Sequence, residues 1–468
     1  MSSSDATAAP AERLHSSTES SVRSDAVYPH GHLGYLNDAQ AAAFERFKAL
    51  LEERGIWRRG PPASHDDPLL LRYLRARRWV PEDAYTQFKD TEDWRRANDI
   101  DVLYHTIDLD AYEQSRRLYP QWTGRRDRRG IPLYVFEIRN LDSKTVSAYE
   151  KSGANSTFSE AKTDGKTTPG LLRLFALYEN LTRFQMPFCT QLRDREVPDV
   201  PISMSTNIVD ISGVGLKQFW NLKAHMQAAS QLATAHYPET LDRIFIIGAP
   251  MFFNTVWGWI KRWFDPITVS KIFVLAPHEV KATLESFIEP RNIPKQYGGE
   301  LDYKFGDLGV PDPGWEGVVR WENGYTSFPS GPMIWEDDDE GRKIVCMALG
   351  SQGGKPRRVR VCTVPKTLTW EKLAAEPVEA TNAEVAPAAV PAVPAVPVES
   401  EEKRDEPLPG VTDTAAPPAA APPAAANAAV PTDVSVTEGE ALKKLDINDE
   451  KTPETTPQQS TTTAPPLA

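Results

Sequence analysis

The sequence predicts an α/β protein, with a mainly parallel sheet flanked by helices and a small all-helical subdomain ahead of it. Two observations carry this prediction. Up to about Asn98 the apolar residues recur only at helical spacing, whereas from about Ile107 strand-like runs alternate with helical ones. Strands separated by whole helices pair in parallel, because so long a crossover brings the chain back to run in the same direction. A third observation bounds the ordered part: both ends of the chain are poor in residues that build a core.

Asn37 precedes a helical pattern, DAQAAAFERFKALLEERG, in which Phe44, Phe47, Leu50 and Leu51 share one face. Asn37 with Gln40 three residues later has the form of a capping box, and Gly55 suits the stop. Asp67-Pro68 starts a second helix, with proline at the first helical position. Pro81 starts a third, with Ala84, Phe88, Thr91 and Trp94 along its stripe. The strands expected next are IPLYVFEI (131–138), ISMSTNIVDI (202–211), RIFIIG (243–248) and KIFVL (271–275), all rich in β-branched and aromatic residues. Helical patterns lie between them at 171–185 and 215–237. Residues 143–170 read as a long polar insertion, a mobile loop. Farther on, GVVRW and RKIVCMAL suggest a few added strands.

Composition limits what the chain can be. Of its 468 residues, those from about Glu376 onward run through APAAVPAVPAVPV and PPAAAPPAAA without an aromatic, so little can be buried there against the entropy of ordering. The expected division is a disordered segment over 1–36, a helical subdomain over 37–100, the α/β domain over 105–305, an extension over 306–372 and a disordered Pro/Ala-rich tail over 373–468. The net charge of −12 argues against nucleic acid, whose phosphates demand clustered cations. Three cysteines (Cys189, Cys346, Cys362) at no tight spacing suit a reducing compartment and fit neither a disulfide framework nor a zinc site. The N-terminus lacks the apolar core of a signal peptide, and no run is long enough to span a bilayer. A cytoplasmic monomer with peripheral membrane contact is expected.

No catalytic constellation is legible. The eight histidines are scattered, with no HExxH or CxxC among the motifs. GSQGGKP (350–356) fails as a phosphate loop, since Gly350 stands one residue too close to Lys355 and Pro356 replaces the hydroxyl residue. His236 reads as a structural histidine at a helix end. Neither a catalytic residue, a metal nor a cofactor is expected.

The most informative stretch is FFNTVWGWIKRWFDPITVSK, Phe252 to Lys271. Read as a helix, it has an apolar face of Phe252, Phe253, Val256, Trp257, Trp259, Ile260, Trp263 and Phe264, wider than core packing requires. Its tryptophans favour the boundary of water and lipid headgroups, and Lys261 and Arg262 stand beside them. Around it lie HYPETLDRIFIIGAP, DPITVSKIFVLAP and IPKQYGGEL, with DDPLLLRYLRARRW and YPQWTGRRDRRGIPLYVFE upstream. These motifs, in this order over roughly Asn37 to Leu301, resemble the Sec-fourteen family of phosphatidylinositol transfer proteins with the CRAL-TRIO fold.

The resemblance implies a phospholipid ligand, most specifically phosphatidylinositol, held in an apolar pocket between sheet and helices. It puts the headgroup on Arg77, Glu239, Thr268 and Lys271, and a second lipid near Tyr134, Ser205 and Asn207. Thr123 falls where an aromatic is usual and Asn207 where a hydroxyl is, which weakens the case for phosphatidylcholine there. Phe252, Phe253, Trp257, Trp259, Trp263 and Phe264 would form the membrane gate. A gate is needed because two acyl chains lifted from a bilayer carry roughly 20–25 kcal/mol, at ~0.8 kcal/mol per CH₂. Transfer between membranes or presentation to lipid-modifying enzymes is the expected function. Two other readings stay open: a lipid-sensing adaptor whose tail recruits protein partners, and a carrier of another apolar cargo such as a sterol or haem.

Overall fold

The computed structural model describes residues 28–154, 157–253, 257–258, 261–263 and 269–367. Helix α1 (Asp38–Glu53) opens as its sequence requires: Asn37 Oδ1 accepts from the Gln40 amide, and the Gln40 side chain accepts from the Asn37 amide. Helix α2 (Asp67–Ala76) is capped by Asp66, with Pro68 in its first turn, and α3 (Pro81–Ala97) starts on proline. Phe44, Phe47, Leu51, Leu70, Leu71, Leu74 and Phe88 meet in one cluster, so these three helices have a core of their own. Residues 28–36, expected among the unordered ones, pack on this subdomain, with His32 and Leu33 buried. Tyr28 stacks over Arg129 and edges against His32, which composition alone does not reveal.

Short helices α4 (Ile100–Thr106) and α5 (Leu109–Arg116) lead into strands β1 (Gln121–Arg126) and β2 (Pro132–Glu137). The insertion at 143–170 is not a loop throughout. It carries α6 (Ser143–Ala154), held because Tyr149 is buried and its hydroxyl donates to the Gly170 carbonyl. Helix α7 (Pro169–Asn180) passes through a π-turn (Leu181–Gln185) into α8 (Met186–Gln191). Pro187 sits in that last turn and has no N–H for the regular ladder, which is where such irregular turns arise.

Strand β3 (Ser205–Asp210), helix α9 (Leu216–His236), strands β4 (Leu241–Ile247) and β5 (Ile272–Val274), and helix α10 (Val280–Phe287) complete the domain. The sheet order is β1-β2-β3-β4-β5. β1 pairs antiparallel with β2 and every later pairing is parallel, as the alternating pattern predicts. The four strands expected from sequence are β2 to β5, each within three residues of its expected ends.

The extension builds a second, antiparallel sheet from β6 (Arg320–Trp321), β7 (Met333–Asp337), β8 (Lys343–Ala348) and β11 (Val359–Pro365), in the order β6-β11-β8-β7. A short hairpin, β9 (Ser351–Gln352) with β10 (Lys355–Pro356), closes one turn. This sheet shares a core with the domain: Phe184, Phe188 and Leu192 pack with Trp315, Phe328, Cys346 and Val361. Arg126 of β1 locks the two together. Its guanidinium donates to both oxygens of Asp312 at 3.0 and 3.1 Å and both of Asp194 at 2.9 and 3.0 Å.

Another polar junction joins the helical subdomain to the domain. Buried Glu179 accepts from Arg95 and from the Tyr237 hydroxyl, and pairs with Arg183. Although burial works against its charge, these arginines pull its carboxyl down to about 2. His236 stacks on Trp94 at 4.2 Å, and burial with nearby Arg95 pushes its pKa down to about 4.

Two predictions follow from these junctions. Arg126→Met leaves the buried Asp312 without its cation, with only the Gly314 amide donating to it, and should cost about 3–5 kcal/mol in urea unfolding, part of it restored by adding Asp312→Asn. His236 is neutral in the fold but titrates near 6.5 when unfolded, so its contribution is present above 6.5 and lost as pH falls towards 4. Stability at pH 5 should therefore lie below that at pH 7, with about 1–2 kcal/mol of the drop traceable to this ring after allowing for its partial exposure. Urea melts of His236→Phe at both pH values should show a drop smaller by that amount.

Candidate functional site

The two faces of the five-stranded sheet are covered unequally. Leu133, Val135, Ile208, Phe245 and Phe273 point to one face and are sealed under α10 and the chain that follows it, with Leu284, Ile288, Ile293 and Tyr297. Val209, Ile244, Ile272 and Val274 alternate to the other face and are only half-buried. Parallel strands are normally buried on both sides. Leu216 and Phe219 of α9, with Phe252, Phe253 and Trp257, stand over this second face. Of the 21 residues of α9, Leu222 alone is buried, so this helix covers the sheet without sealing it. The result is an apolar floor with a loose roof.

At the ends of the strands where β3, β4 and β5 begin, the lining turns polar. Lys271, just before β5, donates to Glu239 Oε2 at 3.2 Å and to the Leu241 carbonyl at 3.0 Å. Two of its three ammonium hydrogens are thereby used and one remains. Glu239 sits in the left-handed region at φ +54°, a conformation that costs a non-glycine residue energy and clusters at functional positions. The turn holds because Thr240 Oγ1 donates back to the Tyr237 carbonyl and Thr240 O receives the Ser205 amide and hydroxyl.

Arg75 faces this pair. Its guanidinium reaches only neutral atoms, Gly31 O at 3.4 Å and His32 Nδ1 and Ser203 Oγ at 3.5 Å each, while Glu239 acts on it from farther off. Burial lowers its pKa to about 10, so it stays charged at neutral pH. His32 is held well below its ordinary value by burial and by the charges of Arg75, Lys271 and Arg129. Arg129 and Arg243 are matched by Asp127 and Asp242, which leaves Arg75 and Lys271 against Glu239. The cluster thus carries a surplus positive charge suited to an anion.

The sequence-derived positions fare unequally. Glu239 and Lys271 are brought together. Arg77 is not part of the cluster: it caps α2 and is exposed. Of Arg75 and Arg77 it is Arg75, two positions earlier, that is turned inward, because a helix rotates by about 200° over two residues and only one of the two can face the sheet. The inward side chain of that helix is the signal that could have found it. Thr268, Trp259 and Phe264 lie outside the described residues, and of Trp263 only the backbone is described. Ser205 and Asn207 are joined by a 3.1 Å bond, and Tyr134 stands opposite Asn207 on β2.

The expected gate is only partly a surface. Phe253 is buried with Ile211, Val214 and Ile246, so it belongs to the core. Phe252 and Trp257 are half-buried, and Lys261 and Arg262 are exposed. Met251 is 99% exposed, the most exposed large apolar side chain of the described residues, and the sequence reading passed it over. No helix among the described residues is long and apolar enough to cross a membrane, and no cluster of metal-ligating side chains occurs among them.

The model of the CRAL/TRIO domain matches residues 116–299, and that of the CRAL/TRIO N-terminal domain matches residues 37–90. The Sec14 cytosolic factor of Schizosaccharomyces pombe is 30% identical over 297 residues, 63% of this chain and 94% of that protein. This chain belongs to the CRAL/TRIO family. It is a Sec14-type lipid-binding and transfer protein, not an enzyme. The SEC14 cytosolic factor of Kluyveromyces lactis is 27% identical over 61% of this chain and 87% of its own length. The phosphatidylinositol/phosphatidylcholine transfer protein SFH7 of Arabidopsis thaliana is 30% identical over 51% of this chain and 40% of its own.

If Met251 and Trp257 enter the headgroup layer, replacing both by glutamate removes apolar anchors worth about 1.5–3 kcal/mol each on burial. Sedimentation with phospholipid vesicles should then fall at least tenfold, with the circular dichroism spectrum unchanged.

Proposed function

We propose that the protein lifts phosphatidylinositol from a membrane and carries or presents it, with the acyl chains on the half-covered sheet face and the phosphodiester at Lys271 and Arg75. The observation that carries this reading is the surplus positive charge at one end of an apolar floor. A phosphodiester supplies the missing negative charge, takes the remaining Lys271 donor and accepts from the Arg75 fork. Glu239, held rigidly beside Lys271, is free on its second oxygen to accept from an inositol hydroxyl. The names of the Arabidopsis relatives, phosphatidylinositol/phosphatidylcholine transfer proteins, support the same class of cargo. Thr268 is proposed as a further hydroxyl donor, on the motif ITVSK alone.

Chain organisation fits a carrier with its own closing parts. The N-terminal residues 28–36 cover the charged end through His32 and Gly31, and exposed Met251 with half-buried Phe252 and Trp257 offers the membrane-facing end. Nothing in this arrangement makes or breaks a bond.

Lys271→Ala removes the charge expected to pair with the phosphodiester. Loss of one partner of a buried ion pair costs roughly 3–5 kcal/mol, about two to four orders of magnitude in affinity. Transfer of labelled phosphatidylinositol between vesicles should nearly vanish, while the melting temperature stays within a few degrees of wild type. Transfer by the variant at the wild-type rate would remove Lys271 from the headgroup site.

A further inference from the structure

Residues 28–36 lie ahead of both stretches that the family models match, yet they supply two of the three acceptors of Arg75. All three are neutral: the Gly31 carbonyl at 3.4 Å, and His32 Nδ1 and Ser203 Oγ at 3.5 Å, near the long limit of a hydrogen bond. Among the described residues no carboxylate pairs with this guanidinium, whereas Asp127 and Asp242 pair with Arg129. A short loop of chain stands where a counter-charge is usual.

The loop is fixed on both sides of that contact. Leu33 is buried in the core of the helical subdomain, and Asn37 caps α1. On the other side Tyr28 lies over Arg129 at 5.3 Å and edges against the His32 ring at 5.1 Å. Between them the chain bends at Gly31, φ +76°, where a Cβ would come within 3.2 Å of the Trp79 ring. Three backbone bonds hold the bend: the Gly31 amide donates to the Tyr35 carbonyl, the His32 amide to Pro29 and the Tyr35 amide to His32.

An arginine only donates, so His32 Nδ1 accepts and the proton of the neutral ring sits on Nε2. The groups that face the ring are Tyr28 of the loop, Arg75 of α2, Arg129 of the β1–β2 turn and Lys271 before β5. Burial pushes the Tyr28 phenol up to about 12, so it carries no charge. Asp127 and Asp242 answer Arg129 and its neighbour Arg243, and Glu239 answers Lys271. A protonated His32 would then stand 3.5 Å from Arg75 with no anion between them, and two such cations repel. Burial, and after it the charges of Arg75, Lys271 and Arg129, hold the ring well below its ordinary pKa.

We propose, on the phosphodiester reading of Lys271 and Arg75, that residues 28–36 are a charge-sensitive strap over the headgroup end: His32 positions Arg75 at neutral pH, and on acidification the strap lifts unless an anion is bound. A released ring takes up a proton that the seated ring refuses, so strap closure is full above pH 6.5 and is lost as the pH falls below it. An anion at Lys271 and Arg75 cancels the field that opposes the charged imidazole. The seated ring then accepts a proton as well, and the loss shrinks. By linkage, strap closure on the protonated ring and anion binding favour each other.

Hydrogen exchange of the Gly31, His32 and Tyr35 amides in the full chain, corrected for the intrinsic pH dependence of exchange, reads strap closure directly. In lipid-free protein their protection should fall about tenfold between pH 7.5 and 5.5, the factor set by a released histidine titrating near 6.5. Loading from phosphatidylcholine vesicles that contain labelled phosphatidylinositol should reduce the fall to less than threefold. His32→Asn keeps an acceptor for Arg75 without a titrating ring, and should abolish the fall. No fall in the lipid-free wild type, the same fall in His32→Asn, or a fall shared equally by the amides of β8, overturns the strap. Uptake of phosphatidylinositol with an undiminished fall overturns the part played by the anion. If no phosphatidylinositol is taken up, the headgroup reading fails, and the lipid-free comparison of wild type with His32→Asn still decides the strap.

Discussion

A parallel sheet between helices has two faces to cover, and this molecule seals one of them. Phe245 and Phe273 are all but fully buried, whereas their neighbours Ile244, Ile272 and Val274 on the same strands are not. Apolar area left in water forgoes about 25 cal/mol for each square ångström, so a sheet built this way is less stable than one closed on both sides. That deficit is what a hydrocarbon ligand can fill. It also explains α9, a long helix of middling burial: packed tightly, it would close the floor it has to stand over.

Stability must then come from elsewhere, and the extension supplies it. Its antiparallel sheet joins the largest core cluster, with Trp315, Phe328 and Cys346 set against Phe184 and Phe188. The Arg126 clamp fastens this core at the edge of the sheet farthest from β5. The tightest packing is around β1 and β2, whereas the face over β4 and β5 is only half-covered. A carrier needs that division, since one end must hold its shape while the other opens to a membrane.

Much of this was legible in the sequence because it rests on local rules. The capping box at Asn37, the proline starts of α2 and α3 and the β-branched runs of β2 to β5 each state their own structure. Helix α6 was missed because its sequence, SKTVSAYEKSGA, is polar apart from Val146, Tyr149 and two alanines, and Tyr149 is anchored by residues distant in sequence. Residues 28–36 were missed for a similar reason, since their order comes from Arg75, Trp79 and Arg129. Within the site, Glu239 and Lys271 could be paired by motif. Choosing Arg75 over Arg77 required knowing which side of α2 faces the sheet, and a short motif with four arginines does not disclose it.

The charged end poses a different electrostatic problem from the apolar floor beside it. At Lys271 and Arg75 positive charge exceeds negative, and burial keeps His32 neutral, so this end favours an anion without help from the wider protein, whose net charge is −12.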